Sequence, residues 1–249
     1  MTQTASTIDP REVEFYSRLA ATWWNTDGPF WPLHRLNTLR AAFLRERLCE
    51  LFGRDSARDQ PLEGLRILDI GCGGGILSES IAQTGASVLG IDVVDKNVHI
   101  ARRHAAEIGL DVRYQLTSAE ELAATGAEFD VVLNMEVVEH VANLSVFMDA
   151  AGRMVRPGGV MAVATINRTL RSWLFAIVGA EYVLRWLPRG THQWRRFPTP
   201  SEIADLMAAR GLAVVELRGV RINPLTRGFS LSRSTAVNYM TLATRARAT

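Results

Sequence analysis

The sequence predicts an α/β fold of the Rossmann-like type, in which helices cover both faces of a parallel sheet. Short apolar runs alternate with stretches of helical periodicity from about residue 65 to residue 166. Parallel neighbours need a long crossover, so strand–helix units of this length favour a parallel sheet. A glycine-rich turn also follows the first apolar run, in the segment LDIGCGGGIL at residues 68–77. A strand, a glycine turn and a helix in this order are typical of a nucleotide-binding unit.

The region before this unit is predicted to be helical. Asp9 as N-cap and Pro10 as the first helical residue begin a helix. We expect a disordered tail at residues 1–9 and a helical lid at residues 10–60. Within the lid, the aromatic and basic segment FWPLHRLN at residues 30–37 is predicted to be a loop before a second helix at about residues 38–52.

Residues 61–249 are assigned to the core. Its predicted elements are a strand at 67–70, the helix after the glycine turn, a strand at 88–91, a helix at 95–108, a strand at 112–116, a short acidic helix, a strand at 129–134, a helix at 143–154 and a strand at 160–166. Residues 167–199 then interrupt the alternation as a helical insertion. A helix at 200–210 and strands at 213–218 and 237–243 suit an antiparallel edge of the sheet.

The glycine turn discriminates between nucleotides. A dinucleotide fingerprint beginning at Gly71 requires glycine at position 76, where the chain has Ile76. The pattern D-x-G-x-G-x-G, which runs from Asp69 through Gly71 and Gly73, resembles instead the S-adenosylmethionine (SAM) site of the seven-strand methyltransferases. SAM has no phosphate, so the Asp69 carboxylate is free to receive its ammonium group, directly or through water. Asp92 ends the second strand, where an acid can accept hydrogen bonds from a ribose diol.

The end of the fourth strand carries the most pointed cluster of polar residues. Met135 is placed to pack against adenine, although a core position suits it equally. Glu136, Glu139 and His140 follow at i, i+3 and i+4 and would share one face of a helix. Three interpretations remain open. His140 is a general base supported by Glu136 or Glu139, the three residues bind a divalent cation such as Mg²⁺, or the segment is an exposed helix start.

Composition narrows the function classes. The net charge is only +2, with 47% hydrophobic and 22% charged residues, which is ordinary for a globular chain and gives no argument for nucleic acid as a partner. Two cysteines fit neither a disulfide framework nor a zinc site, and they suit a reducing compartment. The sequence shows no signal peptide and no apolar run of 18 residues, so we expect a cytoplasmic protein.

The insertion combines cations with aromatic residues. It has six arginines against the single acid Glu181, with Trp173, Trp186 and Trp194 between them. Such a segment favours a membrane interface, where cations meet anionic headgroups, or a lid over an apolar substrate. A packed lid or a dimer surface is the plainer alternative.

Together these stretches resemble the ubiquinone-biosynthesis O-methyltransferases, of the 3-demethylubiquinol 3-O-methyltransferase type. The matching segments are RLAATWWNTDGPFWPLHRLNTLR, LDIGCGGGILSESIAQTGASVLGID, MEVVEHV, MVRPGGV, INRTLRSWLFAIVGAEYVLRWLPRGTHQW and VNYM, between about residues 12 and 242. The resemblance implies a seven-stranded class I methyltransferase sheet and SAM bound by Arg40, Gly71, Asp92 and Met135, with Arg40 on the methionine carboxylate.

The same resemblance implies the reaction and its setting. It implies methylation of both phenolic hydroxyls of polyprenylated ubiquinone precursors, peripheral contact with the inner face of the membrane, and contacts with other enzymes of ubiquinone biosynthesis. The alternative is a SAM-binding subunit of a quinone-biosynthesis complex that performs no turnover. An N6-adenine methyltransferase is disfavoured, because Asn134-Met135-Glu136-Val137 stands where its N/D-P-P-Y/F motif belongs.

Overall fold

The computed structural model describes residues 7–173, 194–223 and 226–247. Its helices are α1 (Pro10–Leu19), α2 (Trp31–Leu51), α3 (Ile76–Ala82), α4 (Asp95–Glu107), α5 (Ala119–Ala124), α6 (Leu144–Arg153), α7 (Leu170–Ser172) and α8 (Pro200–Ala208), with 3₁₀ turns at Ala20–Thr22 and Trp194–Arg196. Its strands are β1 (Arg66–Ile70), β2 (Ser87–Asp92), β3 (Arg113–Leu116), β4 (Phe129–Met135), β5 (Val155–Ile166), β6 (Leu212–Asn223), β7 (Gly228–Ser232) and β8 (Asn238–Arg245).

The strands form a single twisted layer in the order β3-β2-β1-β4-β5-β8-β6-β7. The first five in this order are parallel to one another, whereas β8 is antiparallel to both β5 and β6, and β7 is antiparallel to β6. The strand order reverses between β1 and β4, because β2 and β3 follow on one side of β1 and β5 follows on the other side of β4. The ends of β1 and β4 lie side by side, with Ile70 opposite Asn134. Ligands of open α/β sheets bind in the crevice at such a reversal.

The predicted fold class is confirmed, with one difference in strand count. The described residues contain eight strands where the sequence predicted seven, because β6 runs on to Asn223 and pairs with β7. The stretch from Gly228 to Ser232 is short and only half-buried or exposed, so it lacks the apolar run that marked the other strands.

Period-2 alternation divides the core between the two faces of the sheet. On β4, Val131 and Leu133 join a cluster with Leu44 and Leu48 of α2. Val132, between them, joins the opposite cluster, which contains Phe147 of α6 and further side chains of α5 and α8. These five side chains of β4 and α2 are all fully buried. The sheet is therefore fixed from both sides below the ends of β1 and β4.

One N-terminal prediction was wrong. Residues 30–37 do not form a loop, because α2 begins at Trp31 and Pro32 lies in its first turn, where its missing N–H costs nothing.

Most of the predicted tail, residues 1–6, lies outside the described residues, and Thr7 is the first residue that the structure describes. Its side chain is buried, its hydroxyl donates to Glu120 Oε1 at 2.7 Å, and its carbonyl accepts from Ala142 N at 2.8 Å.

The predicted insertion at 167–199 is described only at its ends. Residues 174–193 lie outside the described residues, and so does most of the predicted helical insertion. The leading end contains α7, with Thr169 and Ser172 in a reciprocal capping box. Among the helices that are described, none is both long and apolar enough to cross a bilayer.

Candidate active site

A cavity lies at the carboxyl ends of β1, β2 and β4. The glycine turn, the end of β2 and the residues after β4 line its floor, and α1, Trp23 and α2 contribute the opposite wall. The predicted site residues that line it are Arg40, Asp69, Gly71, Gly73, Asp92, Met135, Glu136 and His140. Glu139 is described by the structure but does not line this cavity. The fold thus brings together side chains that are up to 100 positions apart in the chain.

The glycine turn has the shape that its residues permit. Gly71 and Gly73 have φ values of 68° and 55°, in the left-handed region that favours glycine. A Cβ added at Gly71 would lie 2.5 Å from Val137 Cγ2, and one at Gly73 would lie 2.6 Å from the ring of Trp23. Side chains from two other segments therefore close directly onto this turn.

Asp92 is oriented by hydrogen bonds from the same turn. Its Oδ2 accepts from Gly73 N at 2.9 Å, and its Oδ1 accepts from Val94 N at 2.8 Å. Burial raises the pKa of this carboxyl, and the two amide hydrogen bonds act in the opposite direction. A carboxylate oxygen offers about two acceptor sites. Oδ2 also accepts from Asn97 Nδ2 at 3.4 Å, so Oδ1 is the oxygen that keeps capacity for a hydroxyl of a ribose.

Asp69 lies at the opposite side of the turn and is 2% exposed. Ser78 of α3 donates its hydroxyl hydrogen to Asp69 Oδ2 at 2.6 Å. Burial raises the pKa of Asp69 to about 7, and the hydrogen bond from Ser78 partly counters that rise. A buried carboxyl with one modest partner is well suited to receive a cationic ligand group, because the charge would otherwise lack compensation.

Arg40 enters the cavity from the interior of α2. Its side chain is 4% exposed and forms an ion pair with Glu136. Within the described chain, Arg40 Nε and the neighbouring Asn37 Oδ1 have no hydrogen-bond partner, although both residues line the cavity. Buried polar atoms of this kind are costly unless a partner satisfies them. A ligand carboxylate at Arg40 would supply one, which fits the predicted role.

Glu136 has an unusual backbone conformation for a residue with a side chain. Its φ is 59°, and its N–H donates to Ala164 O at 2.8 Å, so β4 ends in a sharp turn against β5. Left-handed backbone at a non-glycine residue costs about 1–3 kcal/mol and often occurs at functional sites. Met135, just before it, is 9% exposed and contributes both to the core and to the cavity wall.

The helix predicted for residues 136–140 does not form. The segment is a turn, and α6 begins only at Leu144, with the Asn143 side chain as its N-cap. The side chains of Glu136 and Glu139 stay close to each other. Glu136 pairs with Arg40, whereas Glu139 is 4% exposed and its Oε2 has no partner among the described residues. Burial and the nearby Glu136 raise the pKa of Glu139 well above its ordinary value.

His140 contacts α1 rather than the carboxylates predicted for it. Its Nδ1 lies 3.1 Å from Glu12 Oε2, and its Nε2 lies 3.2 Å from Tyr16 Oη. The rings of His140 and Tyr16 meet edge to face, with centroids 5.5 Å apart. The carboxylate in contact with His140 is therefore Glu12, and support of His140 by Glu136 or Glu139 stays a prediction.

The predicted metal set gains no support from this geometry. In the parts of the chain that the structure covers, no group of three His, Cys, Asp or Glu side chains is arranged to hold a metal ion. Glu136 pairs with Arg40 and lies beside Glu139, whereas His140 contacts Glu12 of α1.

Four residues of the site were missed in the sequence. Glu12 and Tyr16 stand at i and i+4 on α1, a spacing that places them on one face. Trp23 donates from Nε1 to Asn97 Oδ1 at 2.8 Å, and Asn97 lies against Asp92 with Nδ2 3.4 Å from Oδ2. The only sequence signal, and only for Glu12 and Tyr16, was the unusual pairing of polar and aromatic residues on the first predicted helix.

Three known proteins with similar sequences carry the same name. A family model described as a methyltransferase domain matches residues 37–217. A ubiquinone biosynthesis O-methyltransferase of Brucella anthropi is 54% identical over 246 residues, which are 98% of this chain and 99% of that protein. The proteins of the same name from Brucella ovis and Sinorhizobium fredii are 52% and 53% identical over the same shares.

Solved structures with the same fold are more distant. Magnesium protoporphyrin IX methyltransferase from Synechocystis with bound S-adenosylhomocysteine (SAH) gives a TM-score of 0.66 at 19% identity, covering 96% of this chain and all of that one. A SAM-dependent methyltransferase from Thermotoga maritima gives 0.60 at 18% identity, covering 93% and 99%. These structural similarities support the fold. The family is shown by the relatives that are 52–54% identical in sequence. The chain belongs to the ubiquinone biosynthesis O-methyltransferase family of methyltransferase-domain proteins.

Proposed function

We propose that this chain is a SAM-dependent O-methyltransferase that methylates phenolic hydroxyls of polyprenylated ubiquinone precursors, in both O-methylation steps. The observation that carries the proposal is the placement of Asp92 and His140 on the same cavity, one at the end of β2 and the other past the end of β4. The name of relatives that are 52–54% identical over nearly the whole chain supports the substrate class.

The cavity residues divide the binding of SAM among them. Asp92 accepts hydrogen bonds from the ribose hydroxyls, and Met135 packs against the adenine. Arg40 binds the methionine carboxylate, for which its unpartnered Nε is available among the described contacts. Asp69 receives the ammonium group, and Gly71 and Gly73 allow the backbone to approach the ligand without a Cβ in the way.

His140 acts as the general base. Bound SAM supplies a methyl group on a sulfonium that is already activated, so the protein must align the acceptor and remove its proton. The phenol gives its proton to His140 Nε2, its oxygen forms the bond to the methyl carbon, and the C–S electron pair stays on sulfur. General base catalysis typically contributes about 10²–10⁴-fold to the rate, and alignment can contribute about 7–11 kcal/mol.

Turnover by the purified protein tests this function. The protein is incubated with labelled SAM and short-chain demethylubiquinol analogues, and the product mass is read. We expect a gain of one methyl group, and a loss of at least about 10²-fold in kcat for His140→Ala with unchanged SAM affinity. A non-catalytic SAM-binding subunit would give no product and would be indifferent to the substitution.

We also propose that the insertion contacts the membrane where the polyprenylated substrate resides. At its described leading end, Leu170 is 79% exposed and Trp173 is 47% exposed, with Arg168 and Arg171 beside them. Apolar side chains flanked by cations suit an interface with anionic lipid. Docking of other enzymes of ubiquinone biosynthesis on this chain remains a further proposal from the family resemblance.

Liposome flotation tests the membrane contact. We expect the wild-type protein to float with vesicles that contain anionic lipid, and Leu170→Ser with Trp173→Ser to float less. Val215→Ser, at an exposed apolar residue of β6, is the matched control. Equal flotation of all three proteins would contradict the proposal.

A further inference from the structure

One face of α2 presents three side chains to the cavity. Leu33, Asn37 and Arg40 stand at i, i+4 and i+7, a spacing that places them along the same face of a helix, and all three line the cavity. Further along α2, Leu44 and Leu48 are fully buried in the core. Asn37 therefore lies between an apolar and a cationic residue on a helix that is anchored by its packing.

The Asn37 side chain has an acceptor that the described protein leaves unused. Asn37 is 8% exposed, and within the described residues its Oδ1 has no hydrogen-bond partner. Most buried polar atoms in proteins have a partner, and a buried atom without one lowers stability. An unused acceptor on a residue of the cavity lining indicates a ligand group that donates a hydrogen bond to it.

We propose that Asn37 Oδ1 accepts a hydrogen bond from the ammonium of the methionine part of SAM. This inference rests on the proposed binding of the methionine carboxylate by Arg40. It assigns to α2 a contact with each of the two charged groups of the amino acid.

The neighbouring Arg40 identifies the donor. Residues three positions apart on a helix have Cβ atoms about 5–6 Å apart, and the ammonium and carboxylate of an amino acid are attached to the same carbon. A ligand carboxylate at Arg40 therefore brings its ammonium within reach of Asn37. A hydrogen bond to a charged donor is also stronger than one to a neutral donor, so this pairing offsets the burial of Asn37 well.

A neutral amide suits this position better than a carboxylate. Arg40 already forms an ion pair with Glu136, and an acid at position 37 would compete in the same way with the ligand carboxylate. The Asn37 oxygen accepts from a cation and adds no charge. The buried Asp69 supplies the negative charge, and an ammonium has three hydrogens, so it can bond both residues.

The test measures three affinities by calorimetry, for SAH, for SAH without its carboxylate and for SAH without its ammonium. Asn37→Leu keeps the branched shape of the side chain but removes its hydrogen-bonding atoms. We expect it to bind SAH and SAH without its carboxylate about 10–100-fold more weakly than the wild type, because the lost hydrogen bond is to a charged group. SAH without its ammonium should bind to Asn37→Leu and to the wild type equally well.

Thr38→Val is the matched control. Thr38 is the next residue on α2, is exposed and does not line the cavity, and its hydroxyl donates to His34 O at 3.1 Å. This variant should bind all three ligands like the wild type. Asn37→Ala, which removes the amide without adding bulk, gives the same comparison of ligands if Asn37→Leu does not fold.

Urea unfolding without ligand gives a second readout. We expect the midpoint of Asn37→Leu to equal or exceed that of the wild type, because the substitution removes an unpaired buried acceptor. A purely structural role predicts the opposite, which is a lower midpoint and equal weakening of all three ligands. That result would overturn the inference.

The outcomes separate this inference from the proposed function. If the wild-type protein does not bind SAH, the proposed function fails and the inference fails with it. If Asn37→Leu loses affinity for SAH without its ammonium but not for SAH without its carboxylate, Asn37 serves the carboxylate. The proposed function then stands and the inference is overturned.

Discussion

At the scale of single residues, we predict that Asp69 makes the affinity for SAM dependent on pH. Burial and the nearby Asp92 carboxyl raise the pKa of Asp69, Ser78 and Arg40 lower it, and the net result is a pKa of about 7. Above that pH the ionised carboxylate attracts the ammonium of SAM, and below it the neutral acid does not. We therefore expect the affinity for SAM to rise between pH 6 and 7.5, by at most about tenfold per pH unit.

Isothermal calorimetry across this range measures the effect. Asp69→Asn, which cannot ionise, should bind SAM more weakly and with little change over the same pH values. Ser78→Ala removes the hydrogen bond that favours the charged form, so its midpoint should move to higher pH. A wild-type affinity that stays flat from pH 6 to 7.5 would show that Asp69 does not receive the ammonium.

At the scale of elements, the glycine turn and the segment after α1 are packed as one unit through Trp23. A Cβ at Gly74 would lie 2.5 Å from both Cβ and Cγ of Trp23, and Trp24 Nε1 donates to Gly74 O at 2.9 Å. The Trp23 ring also stacks on Phe30, with centroids 3.8 Å apart. The segment after α1 therefore packs directly against the glycine turn.

We expect Gly74→Ala to cost about 1–3 kcal/mol in the free energy of unfolding, because overpacking forces Trp23 to move. SAH binding should weaken as well, since Trp23 contacts Asn97 beside Asp92. In a Trp23→Gly background the three nearest atoms, all of the Trp23 side chain, are gone, so the cost of Gly74→Ala should fall to a small fraction. Urea unfolding and SAH calorimetry on the four proteins give the double-mutant cycle. Equal costs of Gly74→Ala in both backgrounds would refute this packing.

At the scale of the whole molecule, the parts predicted well from the sequence are those in which local signals suffice. The β1–turn–α3–β2 unit was predicted from 28 consecutive residues, because apolar runs and glycines fix it locally. Asp92 follows from the same stretch. The parallel sheet followed from the repeated strand–helix rhythm.

What the sequence did not predict depends on distant contacts or on short segments. The partner of His140 lies 128 positions away on α1, and no local pattern links the two. Residues 136–140 have helical spacing, but the left-handed backbone of Glu136, with a φ of 59°, departs from a helix at the first residue. The beginning of α2 was missed because residues 30–37 were interpreted as a loop, although Pro32 fits the first turn of a helix.

Another contact between distant residues connects α1 to the trailing end of the insertion. Arg196 Nη2 bonds the N-cap Asp9 at 2.8 Å, and the two residues are 187 positions apart. The hydrogen bond from Arg196 is the main cause that lowers the pKa of Asp9. Since the pKa is lower in the folded state, this stabilisation is present at neutral pH and is lost as the pH falls below the ordinary value of an aspartate.

We therefore expect Arg196→Gln to loosen α1. The Arg196 and Asp9 side chains are 33% and 12% exposed, so solvent screens the pair in part. The free energy of local opening of α1 should fall by about 1 kcal/mol, which corresponds to roughly fivefold more opening. Hydrogen exchange of residues 10–19 at pH 7 measures this opening. Arg195→Gln, at the exposed neighbouring arginine, is the control and should exchange like the wild type. As the pH falls below the ordinary aspartate pKa of 3.8, the wild type should approach Arg196→Gln, because Asp9 then loses its charge. If α1 exchanges equally in both variants at pH 7, Arg196 does not hold the helix that carries Glu12.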